Sequence, residues 1–138
     1  MMRVFFDSSA FVKRYIQEQG SEDVLRGCDQ ATELGLAVIA LPEIISALCR
    51  LQREERITEV KYRQLKSVLF LDVEDIALCD LTPTVIHHAV RRLESHVLRC
   101  MDAIHIGCAL AWQAEAFITA DSRQSVAAQA AGLKVVEL

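Results

Sequence analysis

The sequence predicts an α/β fold in which a parallel sheet is covered by helices on both faces, and three observations carry that expectation. Strand-length apolar runs alternate with helical patterns along the whole chain. The runs are near-continuous hydrophobic stretches bounded by Gly, Pro or an acid, as fully buried strands are. No repeat, low-complexity tract or Pro/Gly/Ser-rich linker interrupts the pattern.

Arg3-Val4-Phe5-Phe6 reads as the first strand, and it stops on Asp7, followed by Ser8 and Ser9, a natural exit into a helix. Asp7 is thereby placed at a strand's carboxyl end, the edge of an open parallel sheet where ligands bind. Residues 9–19 are predicted as a helix that Gly20 stops, and Ser21 caps a second one through about residue 34. Residues 35–40 form the second buried strand, and Pro42 then suits the opening of a helix because its missing N–H is not needed there. Glu43 falls in that helix's first turn. Ile44, Ile45, Leu48 and Leu51 give the helix an apolar face, and Arg50, Arg53, Glu54, Glu55 and Arg56 form its charged end.

A further helix is expected over residues 58 to about 71, with Tyr62, Leu65, Val68 and Leu69 facing inward, which makes residues 41–71 a long helical excursion between two strands. Residues 76–81 are the third strand. Thr82-Pro83 is a cap followed by a first-turn proline and opens a helix through about residue 94. Residues 99–114 are helical again: Leu98, Met101, His105, Cys108 and Trp112 share a stripe that Ile104, Ile106 and Ala109 widen until the helix must be largely buried. Residues 116–119 are the fourth strand, 121–131 a helix stopped by Gly132, and 133–136 a last strand.

A length of 138 residues suits one domain, residues 1–138, and 52% hydrophobic residues exclude a disordered chain. No apolar run approaches the roughly 20 residues of a membrane span, so no membrane association is expected. Asp7 interrupts the amino terminus before a signal-like segment can form, which points to the cytoplasm. Cys28, Cys49, Cys79, Cys100 and Cys108 are widely spaced, odd in number and contain no Cys-x-x-Cys pair, so they read as reduced, small core residues rather than a disulfide or zinc framework. A net charge of -4 argues against a surface built to coat nucleic acid, but it allows an enzyme whose acidic site carries metal ions and touches a few phosphates.

Four acids are expected to meet. Asp7 ends the first strand, Glu43 begins the helix after the second, and Asp121 begins the helix after the fourth. Asp102 lies in the first turn of a helix leading into the fourth strand; in a right-handed crossover that helix runs antiparallel to the strands, so its amino terminus reaches the same edge. Clustered carboxylates must either take up protons or be neutralised by cations, and the nearby helix amino termini favour the ionised forms. Oxygen-only ligation suits Mg²⁺ or Mn²⁺, which can polarise a phosphoryl oxygen and acidify a bound water, and phosphodiester hydrolysis is the reaction class this implies.

Each residue also has a plainer reading. Asp121 on its own is an N-cap, and Glu43 complements a helix dipole. Asp7 after two phenylalanines and Asp102 on a buried helix are ionisable groups that require partners. His105, one turn after Asp102, reads as a core histidine satisfied by a neighbouring carbonyl, with contact to Asp102 or a phosphate as the functional alternative. Ser9 and Thr119 can present hydroxyls at the acidic edge or serve as caps and strand ends. Asp80 reads as surface rather than ligand. The basic residues Lys13, Arg14, Arg50, Arg53, Arg91, Arg92 and Arg99 read by default as a solvated face, and those nearest the edge, Lys13, Arg14 and Arg99, are candidate phosphate contacts.

With Phe6-Asp7-Ser8-Ser9-Ala10, Leu41-Pro42-Glu43-Ile44, Leu98-Arg99-Cys100-Met101-Asp102-Ala103-Ile104-His105 and Ile118-Thr119-Ala120-Asp121 in this order and spacing, the chain resembles the PIN domains, and more closely the ribonuclease toxins of VapBC toxin–antitoxin pairs. The resemblance implies a three-layer α/β/α fold with a five-stranded parallel sheet. It implies Mg²⁺- or Mn²⁺-dependent endoribonuclease activity on RNA, a homodimer, and inhibition by a cognate antitoxin protein. Matched residue by residue, Asp7, Glu43, Asp102 and Asp121 fall on the family's catalytic and metal-binding acids, and Ser9 and Thr119 on hydroxyl positions beside them. His105 falls where the family motif often carries a histidine. Two further readings stand beside this one. A PIN-like module that binds RNA or protein without cutting is opposed by the intact set of acids. A phospho-signalling receiver domain would need a second acid beside Asp7 and a lysine ending the last strand, whereas Ser8 and Ser9 follow Asp7 and Lys134 precedes its apolar run.

Overall fold

A computed structural model describes residues 2–138. Five strands form one sheet: β1 (Arg3–Phe6), β2 (Glu33–Ala37), β3 (Ala77–Cys79), β4 (Ala116–Thr119) and β5 (Val135–Glu137). Their order is β3-β2-β1-β4-β5 and every neighbouring pair is parallel, with Phe5 aligned to Gly35 on one side and to Phe117 on the other. The chain therefore builds outward from β1 in one direction, then returns and builds in the other. The point where that direction reverses, between β1 and β4, opens a crevice at the strands' carboxyl ends.

Side chains alternate along β1 and β4 and divide the interior in two. Val4, Phe6 and Ile118 face a core completed by Phe11, Leu36, Ile44, Leu48 and Leu69. Phe5 and Phe117, their rings stacked at 5.9 Å, face a second core with Ala37, Val85, Ile106 and Ala127. The first core is roofed by α1 (Ser8–Phe11), α2 (Ser21–Gln30), α3 (Ala40–Arg53) and α4 (Glu59–Asp72), and the second by α5 (Pro83–Ser95), α6 (Cys100–Trp112) and α7 (Ser122–Ala130). The result is the three-layer α/β/α arrangement with a five-stranded, all-parallel sheet. Gly107 allows α5 and α6 to close on one another, since a Cβ there would stand 2.7 Å from the Val85 carbonyl oxygen.

Several boundaries differ from the sequence expectation, each for a physical reason. The helix expected over residues 9–19 is a single α turn, Ser8–Phe11, tightening into a 3-10 turn at Val12–Arg14. Gly20, with φ of 93°, begins α2 in a left-handed conformation rather than ending the helix before it. Gly35 lies inside β2 rather than at its start, because the Trp112 ring packs where a Cβ would sit, 2.8 Å away. The second strand is thus Glu33–Ala37, and Ala40 already belongs to α3. On α4, Leu65 and Leu69 are buried as expected, whereas Val68 is exposed. All five cysteines are free thiols; Cys108 is buried and Cys100 exposed. Among the described residues no helix is long and apolar enough to cross a membrane.

Candidate active site

At the carboxyl edge of β1 and β4 the chain makes a cavity of about 100 Å³ lined by Asp7, Glu43, Asp102 and Asp121, with Ser8, Ser9, Arg99, His105 and Gln124 between them. Four separate segments deliver the four acids. Asp7 is the residue after β1 and the N-cap of α1, its Oδ1 accepting from the Ala10 amide. Glu43 stands in the first turn of α3 and Asp102 in the first turn of α6. Asp121 follows β4 and caps α7, accepting from the amides of Arg123 and Gln124. The cap fixes the carboxylate that lines the cavity.

Asp7 is buried, and burial pushes its carboxyl above the ordinary aspartate value, against hydrogen bonds from Thr119, Ser9 and the Ala10 amide that favour the charged form. Thr119 donates its hydroxyl to Asp7 Oδ2 and accepts from the Asp121 amide, so one side chain couples two of the acids. Ser9 braces the other oxygen, donating to Asp7 Oδ1 at 2.8 Å and accepting from the Ala120 amide.

Glu43 is held differently. His105 Nε2 lies 2.6 Å from its Oε1, and Ser8 donates to the same oxygen at 2.7 Å. Burial raises the Glu43 carboxyl, but the hydrogen bonds from His105 and Ser8 outweigh it and hold the group below its usual range. His105 is 2% exposed and its Nδ1 has no hydrogen-bond partner. The structure thus corrects the carbonyl-bonded reading of His105: its contacts are Glu43 and the Ser8 hydroxyl at 3.2 Å, not a carbonyl and not Asp102. Asp102 instead faces Arg99, whose Nε stands 3.2 Å from Asp102 Oδ2 while its Nη2 stands 3.5 Å from Asp121 Oδ2.

Of the other basic candidates, Lys13 pairs with Glu18 and Arg14 with Asp72, neither of them a residue of the cavity wall. Asp80 is exposed and lines a different depression, beside Trp112. Two further contributors are not foreseen from the sequence pattern. Ser8 belongs to the helix start, and its place directly after the strand-end acid is the available signal. Gln124, buried and donating to the Asp102 carbonyl at 2.9 Å, ties α7 to the start of α6, and nothing in its local sequence announces that.

The four carboxylates, with hydroxyls beside them, are oxygen donors, which matches the ligand preference of a hard divalent cation, and the one imidazole in the wall, His105, is taken up by Glu43. As placed, two of the carboxylates share the Arg99 guanidinium, and among the described residues no three His, Cys, Asp or Glu side chains are drawn together at ligand spacing. Arg99 thus sets one positive charge against two of the four acids, Asp102 and Asp121.

Comparison with known proteins agrees with this architecture. The PIN domain pattern matches residues 4–130. Ribonuclease VapC45 of Mycobacterium tuberculosis is 35% identical over 144 residues, covering 98% of this chain and 95% of that one. Among solved structures, VapBC2 from Rickettsia felis, bound to a DNA fragment from its promoter, aligns with a TM-score of 0.70 at 12% identity, over 99% of both chains. A toxin–antitoxin complex from Klebsiella pneumoniae aligns equally well, with a TM-score of 0.70 at 14% identity over 98% of this chain and 99% of that one. The last two show a shared fold, and the first shows kinship along nearly the whole length. The chain is a member of the PIN domain family and, within it, of the VapC ribonucleases.

Proposed function

We propose that this protein is a ribonuclease toxin of the VapBC type, a metal-dependent endoribonuclease that hydrolyses RNA phosphodiesters at the Asp7–Glu43–Asp102–Asp121 cavity. The observation that carries the reading is the convergence of four carboxylates, from four distant segments, on one small cavity at the sheet's switch point. These four residues would hold Mg²⁺ or Mn²⁺, and the ion would supply Lewis-acid polarisation of the phosphoryl oxygens and a more acidic water.

The chain's own residues prepare that chemistry. Thr119 and Ser9 fix both oxygens of Asp7. His105 and Ser8 orient Glu43 and keep it ionised. The α7 cap holds Asp121 in place, and Gln124 steadies the turn that carries Asp102. No side chain is needed as a covalent nucleophile. Water attacks phosphorus and the ribose 3′ oxygen leaves, so the products carry a 5′-phosphate and a 3′-hydroxyl.

A cognate antitoxin protein, self-association as a homodimer, a single domain spanning residues 1–138 and a cytoplasmic home complete the reading. End-group analysis of cleaved RNA tests the chemistry: 5′-phosphate ends are expected, and 2′,3′-cyclic phosphate ends would show attack by the ribose hydroxyl instead. One observation favours a domain that binds without cutting, namely the guanidinium bridging Asp102 and Asp121. Tight RNA binding with no cleavage at any Mg²⁺ or Mn²⁺ concentration would establish that alternative.

A further inference from the structure

Arg99 stands in a position that the ribonuclease reading leaves unexplained. It is the residue just before α6 and gives the helix no side-chain cap. Its side chain is 76% exposed, yet it reaches over the rim of the cavity to two acids that are only 15% and 24% exposed. It meets both through their Oδ2 atoms, so one guanidinium bridges the two carboxylates. Arginine keeps its charge at any relevant pH and can leave this place only by swinging away.

The space for that movement is present. A second cavity, of about 390 Å³, is lined by Arg99, Ala120, Asp121, Ser122 and Arg123, and it shares Arg99 and Asp121 with the acidic one. A guanidinium turned into it would lie on the same side as exposed Arg123, with two positive charges flanking a trough that leads to the acids. Arginine's fork of donors fits phosphate oxygens, which makes such a trough suited to the RNA backbone next to the scissile bond.

We propose that Arg99 is a displaceable internal counter-ion: it closes the acidic cavity until a divalent cation takes Asp102 and Asp121, and then turns outward to hold the RNA phosphate beside the one being cut. This rests on the ribonuclease reading and assigns Arg99 a substrate-binding role within it. The two halves of the exchange predict effects of opposite sign for one substitution, which a merely structural residue would not produce. Exposed ion pairs of this kind are weak, so the ion displaces the guanidinium at the expense of only part of its affinity.

The test measures Mn²⁺ affinity by titration calorimetry and RNA cleavage kinetics on the full chain, for wild type, Arg99→Gln, Arg99→Lys and, as a charge-matched control, Arg63→Gln on the exposed face of α4. Arg99→Gln is expected to bind Mn²⁺ about three- to tenfold more tightly while its KM for RNA rises at least about threefold at saturating metal. Arg99→Lys should fall between, and Arg63→Gln should match wild type in both. Unchanged or weaker Mn²⁺ binding by Arg99→Gln, with wild type binding normally, overturns the counter-ion role and leaves the ribonuclease site standing. Tighter Mn²⁺ binding with an unchanged KM overturns the phosphate role. Absence of Mn²⁺ binding in every variant removes the proposal together with the metal-dependent reading on which it rests.

Discussion

Asp7 is an ionisable group kept where burial disfavours its charge. Burial raises its carboxyl above the ordinary value of 3.8, so the folded chain holds its proton to higher pH than the unfolded chain does. In the metal-free protein the corresponding stability is complete below that ordinary value and is lost as pH rises through the raised one. Asp7→Asn should therefore raise the metal-free unfolding temperature at neutral pH, by about 3–4 °C for each kcal/mol regained, while abolishing RNA cleavage. An unfolding temperature at or below wild type, measured by calorimetry in EDTA, would contradict this account of Asp7. Glu43 has the opposite sign: its depressed carboxyl contributes stability above its ordinary value of 4.5, lost as pH falls through the depressed one. His105→Gln should weaken that support and bring Glu43 back toward its ordinary range, which an NMR titration of the carboxyl carbon can follow; an unmoved Glu43 would place its cause elsewhere. At this scale the acids were legible because each occupies a strand end or first helical turn, positions set by local pattern. The Ser8–Glu43–His105 contacts and the Arg99 bridge were not, because they join residues distant in sequence through side-chain geometry that no periodicity encodes.

The elements hold these residues through two close fits. Gly107 lets α6 lie against α5, and a Cβ there would stand 2.7 Å from the Val85 carbonyl oxygen and 3.2 Å from the Ala89 amide nitrogen. Gly107→Ala should destabilise the protein by about 1–3 kcal/mol, as overpacking of a tight contact does. Because Asp102 and His105 ride on α6, cleavage should fall as well. Urea unfolding that matches wild type would show that the helices yield freely. The second fit is the tie from Asp72, at the end of α4, to Arg14 Nε at 3.0 Å and the Tyr15 hydroxyl at 2.8 Å. It pins the long α3–α4 excursion beneath the segment that follows Asp7, and Asp72→Ala should cost about 1–2 kcal/mol. Arg14 had been a candidate phosphate contact on sequence position alone, and the structure makes it a brace instead. A basic residue beyond the first turn after a site points wherever its own turn sends it, and the 3-10 geometry of Val12–Arg14 is not visible in the residue pattern.

Across the molecule, the alternation of strands and helices was readable in the sequence, and the parallel sheet followed from it. Strand order was not, since nothing local states that β1 lies at the centre with β2 and β4 on either side. The handedness of crossovers nonetheless placed the start of α6 at the correct edge, which is why Asp102 could be assigned beside Asp7 before the sheet order was known. Gly35 shows the converse. A glycine that looked like a boundary is an interior strand residue, because Trp112, nearly eighty positions away, covers it. The topology then explains the site: the reversal at β1 leaves a crevice, and four helix starts or strand ends empty their acids into it. On this reading the cavity cuts RNA with a divalent ion held by those acids. The most direct measurement is cleavage of a mixed RNA pool by the purified chain after EDTA treatment, with and without restored Mg²⁺ or Mn²⁺, beside Asp7→Asn and Asp102→Asn prepared identically. Cleavage that returns with the metal in wild type and stays absent in both variants is the predicted result; cleavage that persists in EDTA, or in either variant, would contradict it.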